Sequence, residues 1–156
     1  MKKIIGVIGG HICNNKVGDL AYKLGIKLAK VGDYLVCGGL SGVMNHVCKG
    51  FKQGGGVTIG IIPGYNKSTA NKYVDIVIPT GMGFARNVLV VKSADIVVAF
   101  PGRTGTLSEI AYCLQFNIPV IGFKYWNIPG IIRVDKIDKV VEIVKDTLSK
   151  VVLEDE

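Results

Sequence analysis

Residues 95–109 read Asp95-Ile96-Val97-Val98-Ala99-Phe100-Pro101-Gly102-Arg103-Thr104-Gly105-Thr106-Leu107-Ser108-Glu109. Ile96 to Phe100 is an unbroken apolar run rich in branched side chains. A strand with one wet face would alternate polar and apolar residues, so this run predicts a strand covered on both faces. It stops at Pro101-Gly102, and Leu107, Ile110, Cys113 and Leu114 then recur at helical spacing. Strand, glycine turn and helix in immediate succession make the unit from which parallel sheets are assembled.

Working outward, the same alternation fills the chain. Strands are predicted at Lys3–Ile8, Tyr34–Cys37, Thr58–Ile62, Val74–Ile78, Asp95–Phe100 and Val120–Phe123, and helices at Lys16–Val31, Gly42–Gln53, Phe84–Ser93, Gly105–Phe116 and Lys136–Lys150. Gly32, Gly54-Gly55-Gly56, and Asn117 with Pro119 mark helix stops. No repeat, low-complexity tract or linker interrupts the pattern. Residues 1–156 are expected to form a single α/β domain, a doubly wound, mainly parallel, Rossmann-like sheet with helices on both faces.

Composition agrees. With 49% hydrophobic and 20% charged residues, the chain is too apolar to be disordered, and 156 residues suffice for one core. Mean hydropathy is +0.39. Every apolar stretch is nevertheless cut before the roughly 18 residues a membrane helix needs. Lys2-Lys3 followed by Ile4–Ile8 runs into Gly9-Gly10-His11 without a small-residue cleavage site, so it reads as a first strand rather than a signal peptide. Cys13, Cys37, Cys48 and Cys113 form no C-x-x-C and no metal-like pairing with His11 or His46. They read as buried free thiols of a cytoplasmic protein, and no metal centre is expected.

Glycine supplies 21 of 156 residues, about twice the ordinary share of about 7%. Ten of them fall on turns that leave the carboxyl ends of the predicted strands: Gly9-Gly10-His11, Gly38 to Met44, Pro63-Gly64-Tyr65, Pro79 to Gly83, and Pro101 to Thr106. Ligands of doubly wound sheets bind beyond those ends, where strand order reverses. The first turn lacks G-x-G-x-x-G, and the second strand ends in Gly38-Gly39 rather than in a ribose-binding acid, which argues against a dinucleotide enzyme. G-x-x-x-x-G-K-[ST] is absent too, which argues against a P-loop triphosphatase. Two glycine turns that open helices remain, Gly38 to Gly42 and Gly102 to Thr106, each a candidate anion cradle of backbone amides at a positive helix end.

The net charge of +7 comes from 19 basic and 12 acidic residues. The lysines are scattered, and Lys23, Lys27 and Lys30 share one solvated helical face. With no arginine-rich stripe or aromatic platform, nucleic acid is not the expected partner. Two of the three arginines, Arg86 and Arg103, flank the expected pocket, where a planar fork suits phosphate. Glu109 is the only glutamate before Glu142. It could serve as a general base or stabilise a cationic centre; equally, Thr106-Leu107-Ser108-Glu109 fits a capping box, in which the carboxylate reaches back to the N-cap amide. Asp95 precedes its strand and falls at the opposite edge of the sheet. His11 and His46, without sequence partners, read as incidental.

Gly38-Gly39-Leu40-Ser41-Gly42-Val43-Met44 resembles G-G-x-x-G-x-M, and Pro101 to Glu109 resembles P-G-G-x-G-T-x-x-E. With Arg86 between them, the set resembles the Rossmann-like superfamily of the Lonely Guy phosphoribohydrolases, once labelled lysine decarboxylases, and the molybdenum cofactor carrier proteins. The likeness spans nearly the whole chain, and Arg86-Asn87 is closer to the carrier branch, since the hydrolases usually have Arg-Lys. Two positions depart from the pattern: Arg103 replaces the second glycine, and Ser108 replaces the first carboxylate of a Glu-Glu pair.

The resemblance implies a nucleoside monophosphate or a molybdenum cofactor bound as ligand, with no other cofactor required. Its phosphate would lie on Gly102, Arg103, Thr104, Gly105 and Thr106, with Gly9, Gly10, Gly38, Gly39, Gly42, Met44, Arg86 and Asn87 around it. In the hydrolase branch Arg86 would orient the substrate and Glu109 would act at the N-glycosidic bond. A carrier of a phosphorylated heterocycle is the first expectation, a nucleoside 5'-monophosphate phosphoribohydrolase the second, and a nucleic-acid-binding module the third. The resemblance also implies a homo-oligomer, a dimer or larger, for which Val88, Leu89 and Val91 offer an apolar face. Leu153 to Glu156 are expected to fray.

Overall fold

In the protein's computed structural model, residues 1–154 are described. The chain runs β1 (Ile4–Ile8), α1 (Asn15–Leu28), β2 (Tyr34–Cys37), α2 (Val43–Gln53), β3 (Val57–Ile62), β4 (Ile76–Pro79), α3 (Asn87–Lys92), β5 (Ile96–Ala99), α4 (Thr104–Gln115), β6 (Val120–Phe123), β7 (Ile132–Val134) and α5 (Ile137–Glu154). Short 3-10 turns at Lys67–Thr69 and Gly83–Arg86 punctuate the connections around β4. The seven strands lie in the order β4-β3-β2-β1-β5-β6-β7, and every pairing is parallel. The chain steps outward from β1 to β4, returns to place β5 beside β1, and steps outward the other way. Strand order therefore reverses between β1 and β5.

Side chains alternate across the sheet, and both faces are covered. Ile5, Val7, Ile96, Val98 and Ile121 pack beneath α1, α2 and α5; Ile8, Val97 and Ala99 pack beneath α3 and α4. This two-sided burial is why β5 reads as a continuous apolar run. The doubly wound expectation holds.

Several boundaries differ from the sequence reading for local reasons. β7 was not predicted; it has three residues at the sheet edge, two of them exposed, and carries Arg133, so it shows no apolar run. β4 begins at Ile76 rather than Val74, because Asp75 is occupied in capping its neighbour. The predicted helix Phe84–Ser93 divides into the 3-10 turn Gly83–Arg86 and the six-residue α3. Val91 is fully buried against the sheet, so the apolar face offered to a second copy reduces to Leu89, 37% exposed, and the half-buried Val88. α5 continues to Glu154, and of the residues expected to fray, 155–156 lie outside the described ones. Among the described residues no helix is long and apolar enough to cross a membrane.

An aspartate stands immediately before each of three strands, and each caps the neighbouring strand at the amino edge. Asp33 accepts from the Lys3 amide at 2.8 Å, Asp95 from Ile4 at 2.7 Å, and Asp75 from Thr58 at 3.0 Å. These carboxylates sit at the edge of the sheet opposite to the glycine turns. Burial pushes the Asp75 carboxyl up, but Lys52 and the Thr58 amide outweigh it and hold it below the usual range. A depressed acid stabilises the fold above its unfolded value and stops doing so as pH falls through the folded one. Asp75→Asn is expected to lose about 1.5–3 kcal/mol at pH 7, the range for a hydrogen bond to a charged group. The gap should close in urea titrations as pH falls below the ordinary carboxylate range, and a pH-independent gap would disprove the charge as its source.

Candidate functional site

The turns after β1 and β5 meet where strand order reverses, and α2 joins them. The Gly10 amide donates to the Pro101 carbonyl at 2.9 Å, and the Gly10 carbonyl accepts from Val43 at 3.0 Å. Gly42 opens α2 with φ 64°, and a Cβ there would lie 2.3 Å from the Gly10 carbonyl oxygen. Only glycine lets the two turns approach so closely. On the other side, the buried Trp126 indole donates to the Phe100 carbonyl at 2.8 Å and anchors the end of β5.

Between these turns lies a cleft of about 260 Å³. Of the residues expected at the site, Gly9, Gly10, Met44, Arg86, Asn87, Gly102, Arg103, Thr104, Gly105, Thr106 and Glu109 line it. Gly38, Gly39 and Gly42 do not line the cleft, and they build its wall instead. The Gly38 carbonyl accepts from Arg86 at 3.3 Å, and the Gly39 carbonyl takes the Asn71 amide at 2.8 Å. His11, Ile12, Leu40 and Phe84 also line the cleft and were not expected there. His11 and Ile12 merely continue the first glycine turn, and Leu40 sits inside the second motif, so loop position was a usable signal for all three. Phe84 had the same signal, since it directly follows the Pro79 to Gly83 turn, but it was read as the first residue of a helix.

The Gly102–Thr106 turn leads into α4 with Arg103 as its N-cap residue, and no side chain caps the helix. Among the described residues, the five successive amides from Gly102 to Thr106 donate to no protein acceptor. The first amides of a helix have no intrahelical partner, and helix N-termini left open in this way are suited to anions. No acid occupies the first turn of α4. A Cβ on Gly105 would meet no atom within 4 Å, so the turn borders open space.

Arg86 is only 6% exposed and ties the carboxyl edge together. Its Nε donates to the Ile61 carbonyl at 2.8 Å, Nη2 to Gly38, and Nη1 to Asn87 Oδ1. Asn87 Nδ2 in turn donates to Ser108 Oγ at 3.0 Å, so the network runs from β3 into α4. Burial pulls the Arg86 pKa down, opposed by Glu109 and Cys37, and an arginine so placed still carries its charge at neutral pH.

Glu109 is 7% exposed and lines the same cleft. The capping box expected at Thr106 does not form, because α4 begins at Thr104 and places Glu109 in its second turn, beyond reach of the N-cap amide. Among the described residues nothing hydrogen-bonds or ion-pairs with its carboxyl. Burial pushes it up to about 8, with the Arg86 charge opposing. Near neutrality it is therefore mostly a neutral acid, and Arg86 and Arg103 leave the cleft net positive. Cys113 beneath is raised to about 12 by burial and by Glu109, which makes it an unreactive thiol.

The SLOG cluster4 family model matches residues 2–153. The solved molybdenum cofactor binding protein from the phototrophic bacterium Rippkaea orientalis superposes with TM-score 0.86 at 35% identity, covering 94% of this chain and 97% of that one. The molybdenum cofactor carrier protein of Chlamydomonas reinhardtii gives TM-score 0.85 at 32% identity, covering 96% and 99%. A probable cytokinin riboside 5'-monophosphate phosphoribohydrolase of Oryza sativa subsp. japonica is 35% identical over 95 residues, which are 59% of this chain and 42% of that protein. DNA processing protein A from Helicobacter pylori, at 18% identity and TM-score 0.70, shares the fold alone.

Proposed function

The chain belongs to the SLOG cluster4 family, and from that premise we propose that it binds and carries a phosphorylated heterocycle, a nucleoside monophosphate or a molybdopterin-type cofactor. The observation that carries this reading is the row of five unpaired amides at Gly102–Thr106, set in a cleft whose charges are Arg86 and Arg103. The amides would hold the phosphate and Arg103 would close over it, while Arg86, committed to Ile61, Gly38 and Asn87, supplies positive potential from beneath. Asn87 keeps Arg86 and the start of α4 in register. A molybdenum cofactor would be cargo, and its phosphate end fits the same cradle because Gly105 leaves the space open. Similarity to a molybdenum cofactor binding protein and a molybdenum cofactor carrier protein supports the carrier role.

Gly105→Val tests it. The added side chain meets no protein atom at its Cβ and enters the cradle. AMP and ribose 5-phosphate affinities are expected to fall at least about tenfold, by calorimetry, while Tm stays within a few degrees. Unchanged affinity in the folded variant would refute the cradle.

One observation favours a second reading: the unpaired, buried Glu109 beside Arg86, taken with the similarity to the rice phosphoribohydrolase. As a hydrolase, the protein would add water across the bond between ribose C1' and the base nitrogen, releasing the base and ribose 5-phosphate. Glu109, protonated near neutrality, would give its proton to the departing base. Release of adenine from AMP, abolished by Glu109→Gln, would establish turnover. A cytoplasmic location and contact with a second copy through Leu89 and Val88 complete the proposal. A nucleic-acid role finds no support beyond the shared fold.

A further inference from the structure

Phe84 is 84% exposed and Ile12 is 76% exposed, the most exposed large side chains of hydrocarbon alone among the described residues, and both line the one cleft. Isolated exposed hydrocarbons are ordinary; two of them sharing a concave site with Leu40 and Met44 make an apolar wall that awaits a ligand surface. Both are held open by their backbones. The Gly83 amide donates to Pro63 at 3.0 Å ahead of Phe84, and Arg86 is anchored two residues after it. Gly10 is bonded to Pro101, and the His11 carbonyl accepts from Ser41 Oγ at 2.7 Å, immediately before Ile12.

The wall and the cradle are separated by the topology. Phe84 follows β4, Leu40 follows β2 and Ile12 follows β1, whereas the unpaired amides follow β5, so in strand order the wall runs from β4 to β1 and the amides begin beyond it. One end of the cleft is rich in amides and carries Arg103; the other presents the apolar side chains of Phe84 and Leu40, with the Arg86 guanidinium only 6% exposed and committed to the Ile61 and Gly38 carbonyls. A ligand that satisfies both has a phosphate at one end and a flat, uncharged ring at the other. We infer that Phe84 and Ile12 form the ring-binding end of the cleft and clasp the face of the heterocycle whose phosphate lies on the Gly102–Thr106 amides. This assignment rests on the proposed function for its phosphate end, and the ring end has its own test. An aromatic face stacks on any purine or pterin with little regard to its edge groups, so AMP serves as the probe.

AMP, adenosine and ribose 5-phosphate are titrated into the parent protein and into Phe84→Ala, Phe84→Trp and Ile12→Ser. Phe84 and Ile12 are exposed, so these variants should fold. In Phe84→Ala the AMP affinity should fall roughly 5- to 150-fold, the range for loss of one stacked base. Ile12→Ser should weaken AMP to a smaller degree, Phe84→Trp should retain it, and ribose 5-phosphate binding should stay within twofold throughout. Equal losses for AMP and ribose 5-phosphate, or unchanged AMP affinity in Phe84→Ala, overturn the ring assignment. So does a parent protein that binds ribose 5-phosphate as tightly as AMP, although the cradle then stands. Adenosine bound as tightly as AMP, and lost in Phe84→Ala, removes the cradle while the ring assignment survives. No binding of AMP to the parent overturns both. A changed sedimentation mass in Phe84→Ala with AMP binding intact overturns the assignment in favour of a contact between copies.

Discussion

Glu109→Gln should abolish a loss of stability that the parent protein suffers between about pH 4.5 and pH 8. In that window the unfolded chain has released the Glu109 proton, whereas burial keeps it on the carboxyl in the fold, up to about 8. The folded state binds more protons, so stability falls as pH rises and is lowest once the folded carboxyl ionises. The displacement from 4.5 to about 8 sets an upper bound near 5 kcal/mol. Arg86 limits it by favouring the ionised form, and Cys113, held neutral by a pKa of about 12, cannot compensate. Glutamine keeps the shape and the neutrality. Urea titrations at pH 5, 7 and 9 should show a falling parent and a flat variant, with the variant the more stable at pH 9. A flat parent would refute the buried acid. Ionisation above about pH 8 also adds negative charge beside the amide cradle, so AMP binding should weaken there in the parent and not in the variant.

Gly50→Val should destabilise the fold by about 3 kcal/mol or more. Gly50 lies where α2 crosses α1, and a Cβ would sit 2.0 Å from the Tyr22 carbonyl oxygen; Gly25 makes the reciprocal approach to the Val47 carbonyl at 2.5 Å. Overpacked cores usually lose about 1–3 kcal/mol, and here the obstacle is helix backbone that cannot rotate aside. For a chain of this size that lowers Tm by roughly 10 °C. Gly105→Ala is the control, since its Cβ meets nothing and alanine favours the helix, so its stability should hold or rise slightly. If Gly50→Val melted with the parent, close packing of α1 on α2 would not be what demands glycine there.

The sequence was legible where each residue reports its own surroundings. Ile96 to Phe100 and Ile4 to Ile8 read as strands because burial on both faces leaves no room for polar alternation. β7 was illegible because an edge strand of three residues, two exposed, has no such constraint. At the site, the turn Gly102–Thr106 was readable from its glycines and from the helical spacing behind it. The two roles of Glu109 could not be separated by spacing, because they differ in where α4 begins. With the helix starting at Thr104 the capping box is out of register, and Glu109, 7% exposed, is left with its carboxyl unpaired and facing the cleft. Gly38, Gly39 and Gly42 were correctly placed at the carboxyl edge, but sequence could not say that Gly42 faces the Gly10 carbonyl rather than the ligand space.

What the sequence by itself determined is the repeating strand and helix alternation, the edge of the sheet that carries the glycine turns, and Arg86, Arg103 and Glu109 as the charges nearby. These follow from periodicity, turn chemistry and residue type, which act over a few neighbouring residues. Only the tertiary structure decided that β1 and β5 lie side by side, that Phe84 from beyond β4 and Ile12 from beyond β1 share a cleft with the α4 amides, and that Glu109 is a buried acid. Those facts depend on strand order and on the removal of water by segments far apart in the chain, and no local pattern encodes either.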